Sequence, residues 1–201
     1  MHNYEVKGHP KVKVIIFITI FAVMLSTWLN LSIDLFEKMM GRPVSVTVST
    51  VAVAGALYFI FSKYVWKWEL FRIIFKYPDF NGKYSIVGMS FKNTTNENFE
   101  WEGILSIKQD WDKILISMKS KNSSSESISV NGSVVYHPMK GYKLIYSYEN
   151  TPNNNVDELH KHNGTCEFSF EENLINATGN YYNDGKNREN FGSMELRRIN
   201  E

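Results

Sequence analysis

Apolar and polar residues follow two different patterns along the chain. Near the N-terminus, two uncharged apolar runs occupy residues 14–33 and 44–61, separated by a short polar stretch. A bilayer core about 30 Å thick is crossed by roughly 20 apolar helical residues, and a helix satisfies its own backbone groups there. The pattern therefore predicts a two-helix membrane anchor over residues 1–62, with the residues before 14 as a stub.

From residue 79 onwards, apolar and polar residues alternate with the period of two that is typical of strands. Turn residues rich in Asn and Gly separate the alternating segments. This all-β domain, residues 79–201, could pack as a sandwich or close into a barrel; closure removes exposed strand edges. We therefore expect an eight-stranded antiparallel up-and-down barrel of minimal, lipocalin-like form, with strands near 83–92, 99–109, 113–120, 124–136, 142–150, 163–170, 174–182 and 191–199.

Residues 63–78 alternate aromatic and basic side chains and end at Pro78. Trp and Tyr favour the headgroup level of a bilayer, where lysines can reach phosphates. The segment is therefore predicted to be an interfacial connector helix. A rigid connector that passes motion of the barrel to the membrane helices is an equally good interpretation.

The charges of the two parts differ. Residues 1–78 contain nine Lys and Arg against four Asp and Glu, whereas residues 79–201 contain thirteen against seventeen. Basic residues flank the outer ends of the two apolar runs, so the positive-inside tendency places the barrel and both termini in the cytoplasm and makes the anchor multi-pass. A net acidic domain is a poor binder of DNA or RNA polymers. The single cysteine, Cys166, excludes a disulfide within the chain.

The second apolar run is rich in small and hydroxylated residues. Small residues let membrane helices approach closely, since lipid offers them no hydrophobic drive to associate. This surface is predicted to pack against another helix, either the first run of the same chain or a neighbouring subunit. Its candidate packing residues are Ser49, Ala52, Gly55 and Ala56.

Polar residues share one face on each of the fourth to sixth predicted strands. If those faces point inward, the barrel is apolar at one end and polar at the other, with room for one small ligand. The serines could instead form a solvated turn, and the tyrosines could belong to the core. The residues concerned are Ser125, Ser127, Tyr146, Tyr148, Asn150 and His162.

Nothing in the sequence argues for catalysis. His160 and His162 lack a recognised zinc spacing, and phosphate loops, nucleophile elbows and paired-carboxylate motifs are missing from the sequence. We therefore expect a protein that is not an enzyme and needs neither metal nor cofactor.

An ordered set of motifs resembles a known family. After two apolar runs come YPDFNGKY, WEGILSIKQDW, SSSESIS, LIYSYENTP, HNGTCEF, TGNYY and FGSMEL. This order resembles the two-transmembrane β-barrel effectors of bacterial cyclic-oligonucleotide-based antiphage signalling systems (CBASS), also called SMODS-associating two-transmembrane β-strand-rich effectors. The resemblance implies an inner-membrane protein whose barrel senses a nucleotide made by a partner nucleotidyltransferase. Homo-oligomerisation of the spans, disruption of the lipid bilayer and cell death would follow.

The polar strand faces and the resemblance together indicate which residues could meet the ligand. A cyclic dinucleotide presents two bases and two phosphates; base stacking on aromatic side chains contributes about 1–3 kcal/mol per base. Candidates for stacking are Trp101, Tyr146, Tyr148 and Tyr181, and candidates for hydrogen bonding are Ser125, Ser127, Asn150 and His162. Arg188 is predicted to bind a phosphate, because its guanidinium fork matches that geometry. Alternative functions are a membrane-tethered binder of a lipid or small apolar molecule, and a scaffold that docks a protein.

Overall fold

The computed structural model describes residues 1–8, 11–43, 45–92, 98–121, 126–151, 162–184 and 190–199. The chain divides into two compact units. One unit is His9–Phe75, and the other combines Met1–Gly8 with Lys76–Glu201. The first eight residues therefore belong with the barrel, whereas the sequence analysis assigned them to the anchor.

The anchor unit is helical. It contains α1 (Lys11–Met40), α2 (Thr50–Lys63), a 3-10 turn (Val65–Lys67) and α3 (Glu69–Phe75). Of the helices in the described part of the chain, α1 alone is long and apolar enough to cross a membrane. The first predicted span is thus confirmed as a helix, while α2 has 14 residues and extends only about 21 Å.

The late start of α2 is explained by contacts with α1 and by the residues before it. Residues 45–49 are not helical, and this stretch is rich in β-branched residues, which lose side-chain freedom in a helix. The side chain of Asn30 on α1 holds it in place. Its Oδ1 accepts from the Val48 amide at 2.8 Å, and its Nδ2 donates to the Val48 carbonyl at 3.1 Å. These bonds satisfy backbone groups that a helix would otherwise pair.

The connector is not one continuous helix as predicted. After the 3-10 turn, Trp68 adopts an extended conformation with φ −61° and ψ 137°. This residue separates the turn from α3. The prediction of one continuous connector helix is therefore wrong.

In its described residues, the barrel unit contains ten strands. They are β1 (His2–Asn3), β2 (Glu5–Lys7), β3 (Gly82–Lys92), β4 (Asn98–Gln109), β5 (Lys113–Ser120), β6 (Glu126–His137), β7 (Gly141–Thr151), β8 (His162–Phe170), β9 (Asn176–Asp184) and β10 (Asn190–Ile199). From β3 to β10, each strand pairs antiparallel with the next, and β10 pairs with β3. The predicted eight-stranded up-and-down barrel is therefore confirmed.

The N-terminal strands lie between β5 and β6. β1 pairs antiparallel with β5, and β2 pairs parallel with β6. Tyr4 and Val6 are buried. The prediction of a stub before the first span is therefore wrong for residues 2–7.

The two ends of the barrel differ in character. We call the end near Gly82 and Gln109 the base and the opposite end, near Ser90 and Ser127, the rim. Apolar side chains fill the interior between them, and the largest fully buried ones include Tyr84, Ile86, Leu105, Ile114, Ile116, Leu144, Phe168 and Phe170. A bulge in β6 between Ser129 and Asn131 shifts the register, so that Ser127 and Ser129 face inward before it and Val134 after it.

Candidate functional site

The predicted site residues that the structure describes gather at the rim ends of the strands. Ser127, Tyr146, Tyr148 and Tyr181 are buried, which confirms the inward faces expected for β6 and β7. The half-buried members are Trp101, Asn150 and His162. Ser125 and Arg188 lie outside the described residues.

A glycine on the neighbouring strand lies beneath each of three rim aromatics. Trp101 pairs with Gly88, Tyr148 with Gly164 and Tyr181 with Gly192. A Cβ on any of these glycines would overlap the ring of its partner. Because the glycines have no side chain, each ring can pack against the backbone of the neighbouring strand, and the cross-strand register positions the aromatic face of the site.

Hydrogen bonds fix two of these rings. The Tyr148 hydroxyl donates to Asn183 Oδ1 at 2.6 Å, and the Tyr181 hydroxyl is hydrogen-bonded to the buried Ser90. Trp101 meets the edge of Tyr181 with 6.0 Å between ring centroids. Ser90 and Asn183 were not predicted as site residues, although strand alternation places both on inward faces.

One polar atom at the rim has no partner in the described part of the protein. Asn150 Oδ1 is buried and accepts no hydrogen bond there. Its register partners are Ser127 on β6 and His162 on β8. An unsatisfied buried acceptor is unfavourable by about 1–3 kcal/mol, so this position favours a ligand that brings a donor.

The buried groups of the site stay neutral at physiological pH. Burial raises the pKa of Tyr146 well above its ordinary value, and the neighbouring Cys166 raises it further. Burial likewise raises the pKa of the Cys166 thiol to about 12. Within the described residues, no three His, Cys, Asp or Glu side chains are grouped so that they could hold a metal ion. The interior therefore offers rings, hydroxyls, an amide and an imidazole.

We expect the stability of the barrel to fall as pH rises from 9 towards 12. The unfolded chain releases the thiol proton near pH 9.0, whereas folded Cys166 retains it to about pH 12. Above pH 9 the free energy of unfolding should therefore fall, by up to about 1.4 kcal/mol per pH unit for this group. The buried tyrosines, whose unfolded pKa is 10.0, should add to the loss as the pH approaches and passes 10.

Urea unfolding at pH 7, 9, 9.5 and 10 measures this effect. Cys166→Ala should start from a lower stability and lose about 1 kcal/mol less than the parent between pH 9 and 10, because it lacks the titrating thiol while the buried tyrosines titrate alike in both proteins. Equal slopes in both proteins over that interval would contradict the assignment to Cys166.

A pocket of about 410 Å³ opens beside the rim ends of β7, β8 and β9. Its size lies in the range of about 300–1,000 Å³ that is common for small-molecule sites. Its residues Ser147, Glu149, Asn163, Thr165 and Tyr182 alternate with the inward-facing ones, so the pocket lies on the outer side of the barrel wall. The lining is mixed polar and apolar and comprises Val130, Ser147, Tyr148, Glu149, Asn163, Gly164, Thr165, Tyr182 and Asn183.

Comparisons with known proteins agree with this architecture. A family model described as "Cap15, cyclic dinucleotide receptor domain" matches residues 75–198, and one described as "Cap15, TM helices" matches residues 12–67. A solved protein of unknown function from the DUF3598 family of Nostoc punctiforme covers 59% of this chain and 47% of its own at 10% identity, with a TM-score of 0.35. A likeness of this size says nothing about the fold or function of this chain.

Two curated relatives share the same name. CD-NTase-associated protein 15 of Yersinia aleksiciae is 34% identical over 159 residues, which cover 78% of this chain and 74% of the relative. The protein of that name from Staphylococcus schleiferi is 26% identical over 198 residues, 98% of this chain and 97% of its own. The family resemblance drawn from the sequence motifs is thereby confirmed. With a barrel that matches the receptor domain and an anchor that matches the transmembrane helices, the chain belongs to the Cap15 family.

Proposed function

We propose that this chain is a membrane-bound effector of CBASS antiphage defence whose barrel binds a cyclic dinucleotide at the rim and acts by binding, without catalysis. The observation that carries the proposal is the rim itself: three rings seated on glycines lie at the same end of the barrel as several hydroxyl groups and Asn150 Oδ1, which has no hydrogen-bond partner among the described residues. Its family membership supports the same conclusion.

Each part of the ligand has a matching chemical group. The faces of Trp101, Tyr148 and Tyr181 suit base stacking. An exocyclic amino group of a base would supply the donor that Asn150 Oδ1 lacks, and Ser127 and His162 lie beside it in register. Arg188, outside the described residues, remains the predicted phosphate partner.

Binding is proposed to act through association of the anchors. Ser49, Ala52, Gly55 and Ala56 are exposed, and α1 and α2 contact each other instead through residues such as Ser26 and Thr50, whose hydroxyl oxygens lie 2.7 Å apart. The small residues are thus available to a neighbouring chain. With the barrel and both termini on the cytoplasmic side, ligand-driven oligomers would disrupt the inner membrane.

Calorimetry of the full chain in detergent against a panel of cyclic dinucleotides tests the proposal. The full chain is required because residues 1–8 are part of the barrel unit. We expect binding, weakened roughly 10- to 100-fold by Tyr148→Ala, as the loss of a stacking face implies. Ser127→Ala should weaken binding about fivefold, the effect of one hydrogen bond.

Control variants separate recognition from folding. Ser169→Ala, on an exposed position of β8 towards the base, should bind like the parent. Folded protein that gives no heat with any member of the panel would overturn the nucleotide proposal. Binding of a lipid by that protein would favour the alternative of a lipocalin-like lipid binder.

A further inference from the structure

The N-terminal segment, Met1–Gly8, completes the barrel wall. In the described residues, β5 and β6 pair directly only near the rim, at Ser117–Ile128, Met118–Ser127 and Lys119–Glu126. Towards the base the segment enters between them, and we call this place the seam. The segment's own pairs are His2–Ile114 and Asn3–Lys113 with β5, and Glu5–Ser133, Val6–Val134 and Lys7–Val135 with β6.

One end of the segment touches the wall of the polar interior. His2 Nε2 lies 2.8 Å from the Ser129 hydroxyl, which also accepts from the Ile116 amide at 2.9 Å. Ser129 is buried and faces inward like Ser127, its neighbour by two residues. His2 therefore shares a hydroxyl with the face on which the proposed nucleotide binds.

The middle of the segment, at Tyr4, belongs to a buried cluster at the base. The Tyr4 hydroxyl lies 2.7 Å from the Tyr77 hydroxyl, accepts from Gln109 Nε2 at 2.7 Å and donates to the Asp110 carbonyl at 3.1 Å. The Tyr77 ring stacks on Trp111 with centroids 4.3 Å apart. Burial raises the pKa of both tyrosines, so both hydroxyls stay protonated.

Tyr4 and Tyr77 also flank the anchor unit in sequence. The chain leaves the barrel unit after Gly8 and returns at Lys76. Their contact therefore joins the stretch that leads out of the barrel unit, before α1, to the stretch that leads back into it, after α3. A single segment thus links the polar interior, through His2, to this joint, through Tyr4.

We propose that the seam is a strand-binding groove, that the N-terminal segment is its exchangeable occupant, and that nucleotide binding displaces the segment and so passes the signal to α1. The proposal rests on the proposed function. A ligand shifts such an equilibrium only by binding one state more tightly. A nucleotide that engages Ser127 and Ser129 takes the hydroxyl that His2 uses, and therefore binds the displaced state better.

A disulfide that locks the segment in the seam tests the proposal. Asn3 and Lys113 are exposed register partners, and such pairs have the Cα separation that a disulfide needs. Asn3→Cys with Lys113→Cys is made in full-length Cys166→Ala protein, reconstituted in dye-loaded vesicles of bacterial lipid. The matched control, Lys119→Cys with Glu126→Cys, joins β5 to β6 directly and leaves the segment free.

Oxidation of the segment lock should preserve nucleotide binding at lower affinity and reduce nucleotide-triggered dye release at least tenfold, with recovery on reduction. The control should release dye equally when oxidised and reduced. Equal release from the oxidised and reduced lock, with nucleotide bound, would overturn this inference alone. Failure of the reduced protein to bind nucleotide would overturn the proposed function and this inference with it.

His2→Ala gives an independent readout that does not depend on a disulfide. Loss of the hydrogen bond to Ser129 should shift the equilibrium towards the displaced state, so half-maximal release should need about fivefold less nucleotide. The control is Glu5→Ala, which should leave the response unchanged. The Glu5 side chain is exposed, and the residue pairs with Ser133 of β6 through the backbone. A His2→Ala response identical to the parent's would contradict the coupling.

Discussion

Replacing Gly55 and Ala56 with leucine is expected to abolish nucleotide-dependent assembly and toxicity while membrane insertion and nucleotide binding are retained. Both residues are exposed on α2. Apart from the chain neighbours of Gly55 and the backbone of its own helix, no described atom lies within 4 Å of the position that a Cβ of Gly55 would occupy. Leucine therefore fits the isolated chain. In an assembly it would hold neighbouring helices apart and remove the close contacts on which association in lipid depends.

Crosslinking in membranes, with and without nucleotide, measures this expectation. Val23→Leu, which places a leucine at an exposed position of α1, is the control and should assemble like the parent. Oligomers that persist in the Gly55 and Ala56 variant would mean that the barrels alone drive assembly. Oligomers that form equally without nucleotide would mean that the ligand is not the switch.

Gly164→Ala is expected to damage the barrel rim more than its single methyl group suggests. The new Cβ would lie 2.5 Å from the Tyr148 hydroxyl and 2.7 Å from the Tyr182 carbonyl oxygen. Since the second contact is with backbone, a side-chain movement alone cannot relieve it. The free energy of unfolding should fall by about 1–3 kcal/mol, as in other overpacked cores, and nucleotide affinity should fall as it does in Tyr148→Ala.

Gly132→Ala provides the matched control for this prediction. Its Cβ would meet its nearest neighbours, the Ile145 carbonyl and the Tyr146 Cβ, at 3.4 Å, so its stability should change little. Combining Gly164→Ala with Tyr148→Ala should cost less than the sum of the two single changes, because the ring contact is then missing. Equal stability of Gly164→Ala and Gly132→Ala in urea would contradict the role of Gly164 as a seat for Tyr148.

Much of the candidate site could be predicted because strand alternation is local. Once Tyr148 is assigned inward, Tyr146 and Asn150 follow from the two-residue repeat. The glycine seats could not be found in this way, since they depend on which residues lie opposite each other across strands. HNGTCEF and FGSMEL contain the seat glycines Gly164 and Gly192, but only the register shows that Tyr148 and Tyr181 lie over them.

Three features needed long-range information. The N-terminal strands are too short for periodicity to predict, and β1 and β2 are defined by partners more than a hundred residues away. The delayed start of α2 depends on the distant side chain of Asn30. The bulge in β6 reverses the inward face between Ser129 and Val134, because one extra residue changes the phase of a two-residue repeat.

The sequence by itself determined the long first helix, the eight strands of the barrel, the inward faces at the rim and the family, because hydrophobic periodicity, turn residues and ordered motifs act over short stretches of chain. The tertiary structure alone decided how the barrel wall is completed, where the second helix begins and which glycine lies beneath which aromatic ring. Those outcomes depend on hydrogen bonds and steric contacts between residues far apart in the chain, and no local pattern encodes them.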